Sequence, residues 1–264
     1  MIIPLVLAAS LSYRAPPPWK QPAPGEHQFT SWKEKDSLFA VVEDANVRES
    51  ASIDAKATTV PLGTRFEVVK VASDPVPVHD RVDRWYQVRS ESPPVQGYVF
   101  GSVLTPFVVE GDVDGDGEVE TVSVGFTTGL FAKVRVWEPG VKGKKVVASF
   151  DLDPLPFKGT LGGELRSLSL VEGKRPVLAV ELCEGQCRLT LLEYRAPGKK
   201  KLGALSVVAQ LNVSEQSAVT VSGDQLTVGA AGEKPELAMA AGRVVGKRVK
   251  DRWVPMWCEA CNGT

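Results

Sequence analysis

The sequence predicts an all-β protein in two parts, a small barrel followed by a larger antiparallel β domain. Three observations carry that expectation. Glycine and proline number 24 and 19 in 264 residues, enough to turn the chain many times. Valine recurs throughout in runs of strand length. Apolar residues in the first part lack helical spacing. Hydrophobic residues make up 43% and charged ones 24%, the profile of a globular chain that can bury a core. Lysine plus arginine is 31 against 32 acidic residues, a net charge of −1. That balance argues against a surface built wholly for nucleic acid or anionic membrane.

Residues 2–9, IIPLVLAA, are an apolar run ending in small residues. The run is too short to span a membrane, and it predicts an export signal over residues 1–12. A buried first strand is the rival reading. No cysteine follows closely, so a lipid anchor is not expected. Residues 13–37 are rich in proline and charge and predict a tether.

Residues 38–105 hold the first four β-rich runs, LFAVV, RFEVVKVA, RWYQVRS and QGYVFGSVL. In Thr64–Ala72, Phe66 and Val68 alternate with Arg65 and Glu67, and Pro61-Leu62-Gly63 supplies a turn before them. Four landmarks fall here in order: Ala45-Asn46-Val47-Arg48 with Ser50-Ala51-Ser52, Pro61-Leu62-Gly63-Thr64, Trp85-Tyr86-Gln87-Val88, and Gly97-Tyr98-Val99. Together they resemble the bacterial SH3 (SH3b) domain, over about a quarter of the chain. Ala51 stands where that family often has proline, and residues 73–84 form a longer loop before the Trp-Tyr pair. The resemblance implies an SH3-like barrel that binds peptidoglycan or a peptide or protein ligand. Trp85, Tyr86 and Tyr98 are the candidate ligand shelf, with a plain role in the core as the competing reading. Arg48 reads as a strand-end residue fixing a turn.

Residues 110–120, EGDVDGDGEVE, carry six carboxylates and no cation. Alternate aspartates in a glycine-rich turn are the oxygen donors that a hard cation such as calcium wants. Without one they repel. An EF-hand does not fit, because counting Asp112 as position one puts Ser123 where a bidentate glutamate belongs. The valine-rich flanks read as strands. The pattern resembles the calcium loop of FG-GAP or VCBS-type repeats. That resemblance implies side-chain oxygens from Asp112, Asp114, Asp116 and Glu120 and the carbonyl of Glu118. A single such loop does not support a full propeller.

Strand-like runs continue across residues 106–264 at regular spacing, the signal of a sandwich or partial propeller-like domain. Turns are expected at Ser214–Gln216, Gly223-Asp224 and Lys250-Asp251. The clusters Lys199–Lys201 and Lys247-Arg248 read as solvated turns, not as a nucleic-acid patch. Four cysteines, Cys183, Cys187, Cys258 and Cys261, allow three disulfide pairings. The local pairing 183–187 and 258–261 is the simplest. Zinc held by four thiolates is the alternative.

The catalytic chemistry of a wall hydrolase is thin. The chain has two histidines, His27 and His79, and neither lies in residues 105–264. A cysteine peptidase needs a histidine base and a zinc amidase needs histidine ligands. No serine elbow or phosphate loop stands out. The expectation is an exported, non-catalytic protein of the periplasm or beyond, calcium-bound and not membrane-spanning. A cell-wall hydrolase of unrecognised type is the second reading.

Overall fold

The computed structural model describes residues 30–79, 81–126, 132–140, 143–152, 155–157, 160–162, 164–171, 176–184, 186–196, 203–213, 217–222, 225–230, 243–249 and 252–255. It is all-β. Among these residues no helix is long and apolar enough to cross a membrane. The expected export signal, most of the expected tether and the pair Cys258 and Cys261 lie outside the described residues.

The first region contains β1 (Ser37–Ala40), β2 (Ala45–Arg48), β3 (Ala57–Val60), β4 (Arg65–Val71), β5 (Val76–Val78), β6 (Arg81–Asp83), β7 (Trp85–Glu91), β8 (Pro94–Phe100) and β9 (Leu104–Thr105). Seven of them form one curled sheet, a half-barrel, in the order β3-β2-β8-β7-β4-β1-β9. Alternation in β4 does what the sequence predicts: Phe66 and Val68 turn inward while Arg65 faces solvent. They join Leu38, Val47, Tyr86, Val88 and Val99 in a single core. The loop at 73–84 is itself structured, because β5 and β6 pair as an antiparallel hairpin. From Thr30 onward the proline-rich segment is also held. Trp32 packs on the half-barrel core, and Lys35 N–H donates to the Val68 carbonyl.

The second region contains three four-stranded antiparallel meanders, each following chain order. The first is β10 (Val108–Gly111), β11 (Glu120–Gly125), β12 (Ala132–Gly140) and β13 (Gly143–Leu152). A small hairpin follows, β14 (Leu155–Phe157) with β15 (Thr160–Gly162). The second meander is β16 (Glu164–Val171), β17 (Val177–Glu184), β18 (Gln186–Arg195) and β19 (Ala204–Val213). The third is β20 (Ser217–Ser222), β21 (Gln225–Ala230), β22 (Arg243–Val249) and β23 (Arg252–Pro255).

The second meander is the middle layer. Leu178, Val180 and Leu182 pack with Val122, Val124 and Val134 of the first. The alternate residues of β17, Val177 and Ala179, pack with Leu226, Val245 and Trp253 of the third. A strand buried on both faces needs apolar residues at consecutive positions, and Val177–Val180 supplies them. Both regions meet at a small cluster of Val41, Leu62 and Trp137, flanked by Val108 and Val146. Gly63 makes this approach feasible. Its φ is +79°, and a Cβ there would lie 3.2 Å from the Trp137 ring.

Candidate functional site

Two places collect functional side chains, a cavity in the half-barrel and the acidic turn between β10 and β11. The cavity has a volume of about 310 Å³ and is lined by Asp44, Asn46, Arg48, His79, Trp85 and Phe100, among others. Its floor is aromatic, with the Trp85 and Phe100 rings tilted at 59° and their centroids 5.3 Å apart. The β5–β6 hairpin provides one wall through Val78 and His79. Asp44 and His79 each adopt φ of +53°, a left-handed conformation uncommon outside glycine. Strained positions of this kind tend to sit at functional sites.

Of the three aromatic residues predicted from the sequence, only Trp85 lines this cavity. Tyr86 is wholly buried, and its hydroxyl donates to the Thr30 carbonyl at 2.8 Å. Thr30 is gripped further by Asp83, whose Oδ1 accepts from Thr30 N–H at 2.9 Å and from its hydroxyl at 2.6 Å. Burial raises the Tyr86 pKa, partly offset by its bond to Thr30. Tyr98 is half-buried on β8 opposite Arg48. Arg48 holds the turn before β3, since its Nη1 donates to the Ala55 carbonyl at 2.7 Å. Asp44, His79 and Phe100 escaped the sequence reading. The only signal for His79 was its place in the lengthened loop.

The acidic turn is organised around its own carboxylates. Oxygens of Asp112, Asp114 and Asp116 converge to within 4.8 Å of one another. Asp112 Oδ1 accepts from the N–H groups of Gly115 and Asp116, and its Oδ2 from Gly117. Gly115 and Gly117 take φ of +81° and +94°, which brings those N–H groups round onto one carboxylate. Glu120 is 3% exposed at the start of β11 and accepts from Val113 N–H at 2.9 Å. Burial pushes the Glu120 pKa up to about 7, with the three aspartates adding to the rise against the Val113 bond. Asp114 is also raised, by burial first and then by the charge of Asp116. The Glu118 side chain is exposed.

This donor set fits a hard cation. It consists of oxygens of one charge sign, converging on a tight turn whose inner members are partly desolvated. Val113, between two of the aspartates, is buried in the core shared by the first and second meanders. That anchor keeps the turn from swinging away.

No family model matches the chain, and no curated protein matches it.

Cys183 and Cys187 are joined as a disulfide, with Cα atoms 3.9 Å apart. They face each other across the end of the β17–β18 hairpin, the local pairing expected from their spacing.

Proposed function

We propose that this is an exported, non-catalytic binding protein of the bacterial cell envelope. The half-barrel, read as a bacterial SH3 module, holds a cell-wall or peptide ligand. The stacked β domain beside it is stabilised by calcium at Asp112, Asp114, Asp116 and Glu120, with the Glu118 carbonyl. The observation that carries the reading is the aromatic-floored cavity of the half-barrel, with polar and charged groups around an apolar base as in many ligand sites. The order of the four SH3b landmarks supports it, since they fall on β2, the turn before β4, β7 and β8. For calcium, the support is the convergence of three carboxylates with a fourth buried beside them.

Zinc at the cysteines has less support. Two of the four thiols it requires are already spent on each other. No nucleic-acid partner is proposed, because the overall charge is balanced.

Sedimentation of the intact protein with isolated peptidoglycan tests the reading. Binding without release of soluble fragments is the expected result. Fragment release would move the protein to the hydrolase class, and failure to bind any wall preparation would remove the cell-wall reading.

A further inference from the structure

We propose that the cavity of the half-barrel recognises a small zwitterion, an amino acid or dipeptide with an apolar side chain. The inference rests on reading the half-barrel as a binding module, and adds which groups bind and what they select. It does not follow from the SH3b resemblance, because one wall comes from the lengthened loop where the chain departs from that pattern.

Some of the cavity's polar groups are already engaged by the protein itself. Glu43 and Arg48 both line the cavity. Glu43 Oε1 accepts from Val146 N–H of the second region at 3.4 Å, and Arg48 holds the Ala55 carbonyl. Asp44 and His79 are exposed and have no partner among the described residues. They come from two separate loops, the β1–β2 turn and the tip of the β5–β6 hairpin. Each loop therefore offers one uncommitted group of different chemistry, a carboxylate and an imidazole. A ligand bearing only an ammonium group would pair with Asp44 and leave the His79 ring N–H to water. A zwitterion answers both: its ammonium group meets Asp44, and its carboxylate accepts from a His79 ring N–H. The tilted Trp85–Phe100 pair of the same cavity gives an apolar surface for a side chain. The volume lies at the small end of the range for ligand pockets and suits an amino acid or dipeptide, not a polymer.

The test is a titration of the full chain with the dipeptide alanyl-phenylalanine, followed by amide NMR shifts. Its N-acetylated and C-amidated forms are titrated alongside. Asp44→Asn and His79→Asn are suitable variants, since asparagine tolerates positive φ and both sites are exposed. Their melting curves check that the fold is kept. The expected result is saturable shifts around residues 42–48, 79 and 100–103 for the free dipeptide. Acetylation or Asp44→Asn should weaken binding about tenfold or more, the worth of one charged contact. Amidation should weaken it in the wild type and matter less in His79→Asn. Equal binding of free and acetylated dipeptide, binding unchanged in Asp44→Asn, or no binding would each overturn the inference. Peptidoglycan sedimentation without dipeptide binding would overturn it while leaving the broader reading in place. Dipeptide binding with no affinity for peptidoglycan would support it and count against only the cell-wall ligand.

Discussion

The cavity of the half-barrel is rimmed by both signs of charge, whereas the acidic turn of the stacked sheets carries one. The carboxylates of Glu43 and Asp44 share the cavity lining with the Arg48 guanidinium and the His79 imidazole, and two of the four groups are held by the protein's own backbone. In the turn, Asp112, Asp114 and Asp116 converge, and each accepts a hydrogen bond from a backbone N–H group that brings no formal charge. A mixed-sign rim offsets part of its own charge. A single-sign cluster stores repulsion that an external cation relieves. The two regions are thus expected to respond to different additions, and the Val41–Leu62–Trp137 cluster decides how far they respond together.

The largest effect is expected at that junction. Trp137 is 1% exposed, and Lys144 Nζ lies 5.8 Å from its ring while contacting Glu110 and Thr121 on either side of the acidic turn. Trp137→Ala should cost about 3–5 kcal/mol. It should also split chemical unfolding into two transitions, one per region. Trp137→Phe should cost much less, because the Nε1 it removes has no hydrogen-bond partner among the described residues. A single unshifted transition in Trp137→Ala would mean that the regions do not depend on this contact.

Calcium comes next. An ion that binds only the folded state adds about 2.7 kcal/mol at a hundredfold excess over its dissociation constant. The melting temperature should therefore rise with calcium, and Asp114→Ala should remove most of the rise. Asp114→Asn should keep part of it, since an amide oxygen still coordinates. Magnesium should substitute poorly, because it demands a smaller octahedral shell. Melting curves indifferent to calcium and chelator in both wild type and variant would reduce the turn to a solvated loop.

The smallest effect is a pH dependence in chelator. Glu120 binds its proton more tightly in the folded chain, with a pKa of about 7 against 4.5 for the free group. The folded state therefore takes up protons between those values. Its stability is highest below about 4.5, falls as pH rises toward about 7 and then levels. Asp114 acts with the same sign. Urea midpoints in chelator should be higher at pH 5 than at pH 7.5, and Glu120→Gln should flatten the difference. Calcium favours the charged carboxylates and should shrink it as well. The opposite slope in chelator would show that other titrating groups dominate.

Much of the fold was legible because burial leaves a periodic mark. Alternation in Arg65–Val68 marked a strand with one wet face. What escaped the sequence depends on partners distant in the chain. Tyr86 looked available as a ligand shelf, but Thr30, lying 56 residues earlier, takes its hydroxyl. Residues 73–84 read as a long loop because Pro75 and Pro77 obscure two short edge strands. The convergence of Asp112, Asp114 and Asp116 was legible, since the three lie within five residues and Gly115 and Gly117 fix the turn locally. Trp137 carried no local sign of docking on Gly63, because that contact exists only once both regions have folded.

The difference in charge between the two regions is tested most directly by amide hydrogen exchange of the intact protein in calcium and in chelator. The amides of Gly115, Asp116, Gly117 and Glu118 are followed against those of β7 and β8. Calcium should slow exchange at the turn strongly and leave local exchange in the half-barrel strands unchanged, and Asp114→Ala should abolish the slowing. Equal exchange at the turn in calcium and in chelator would contradict the account.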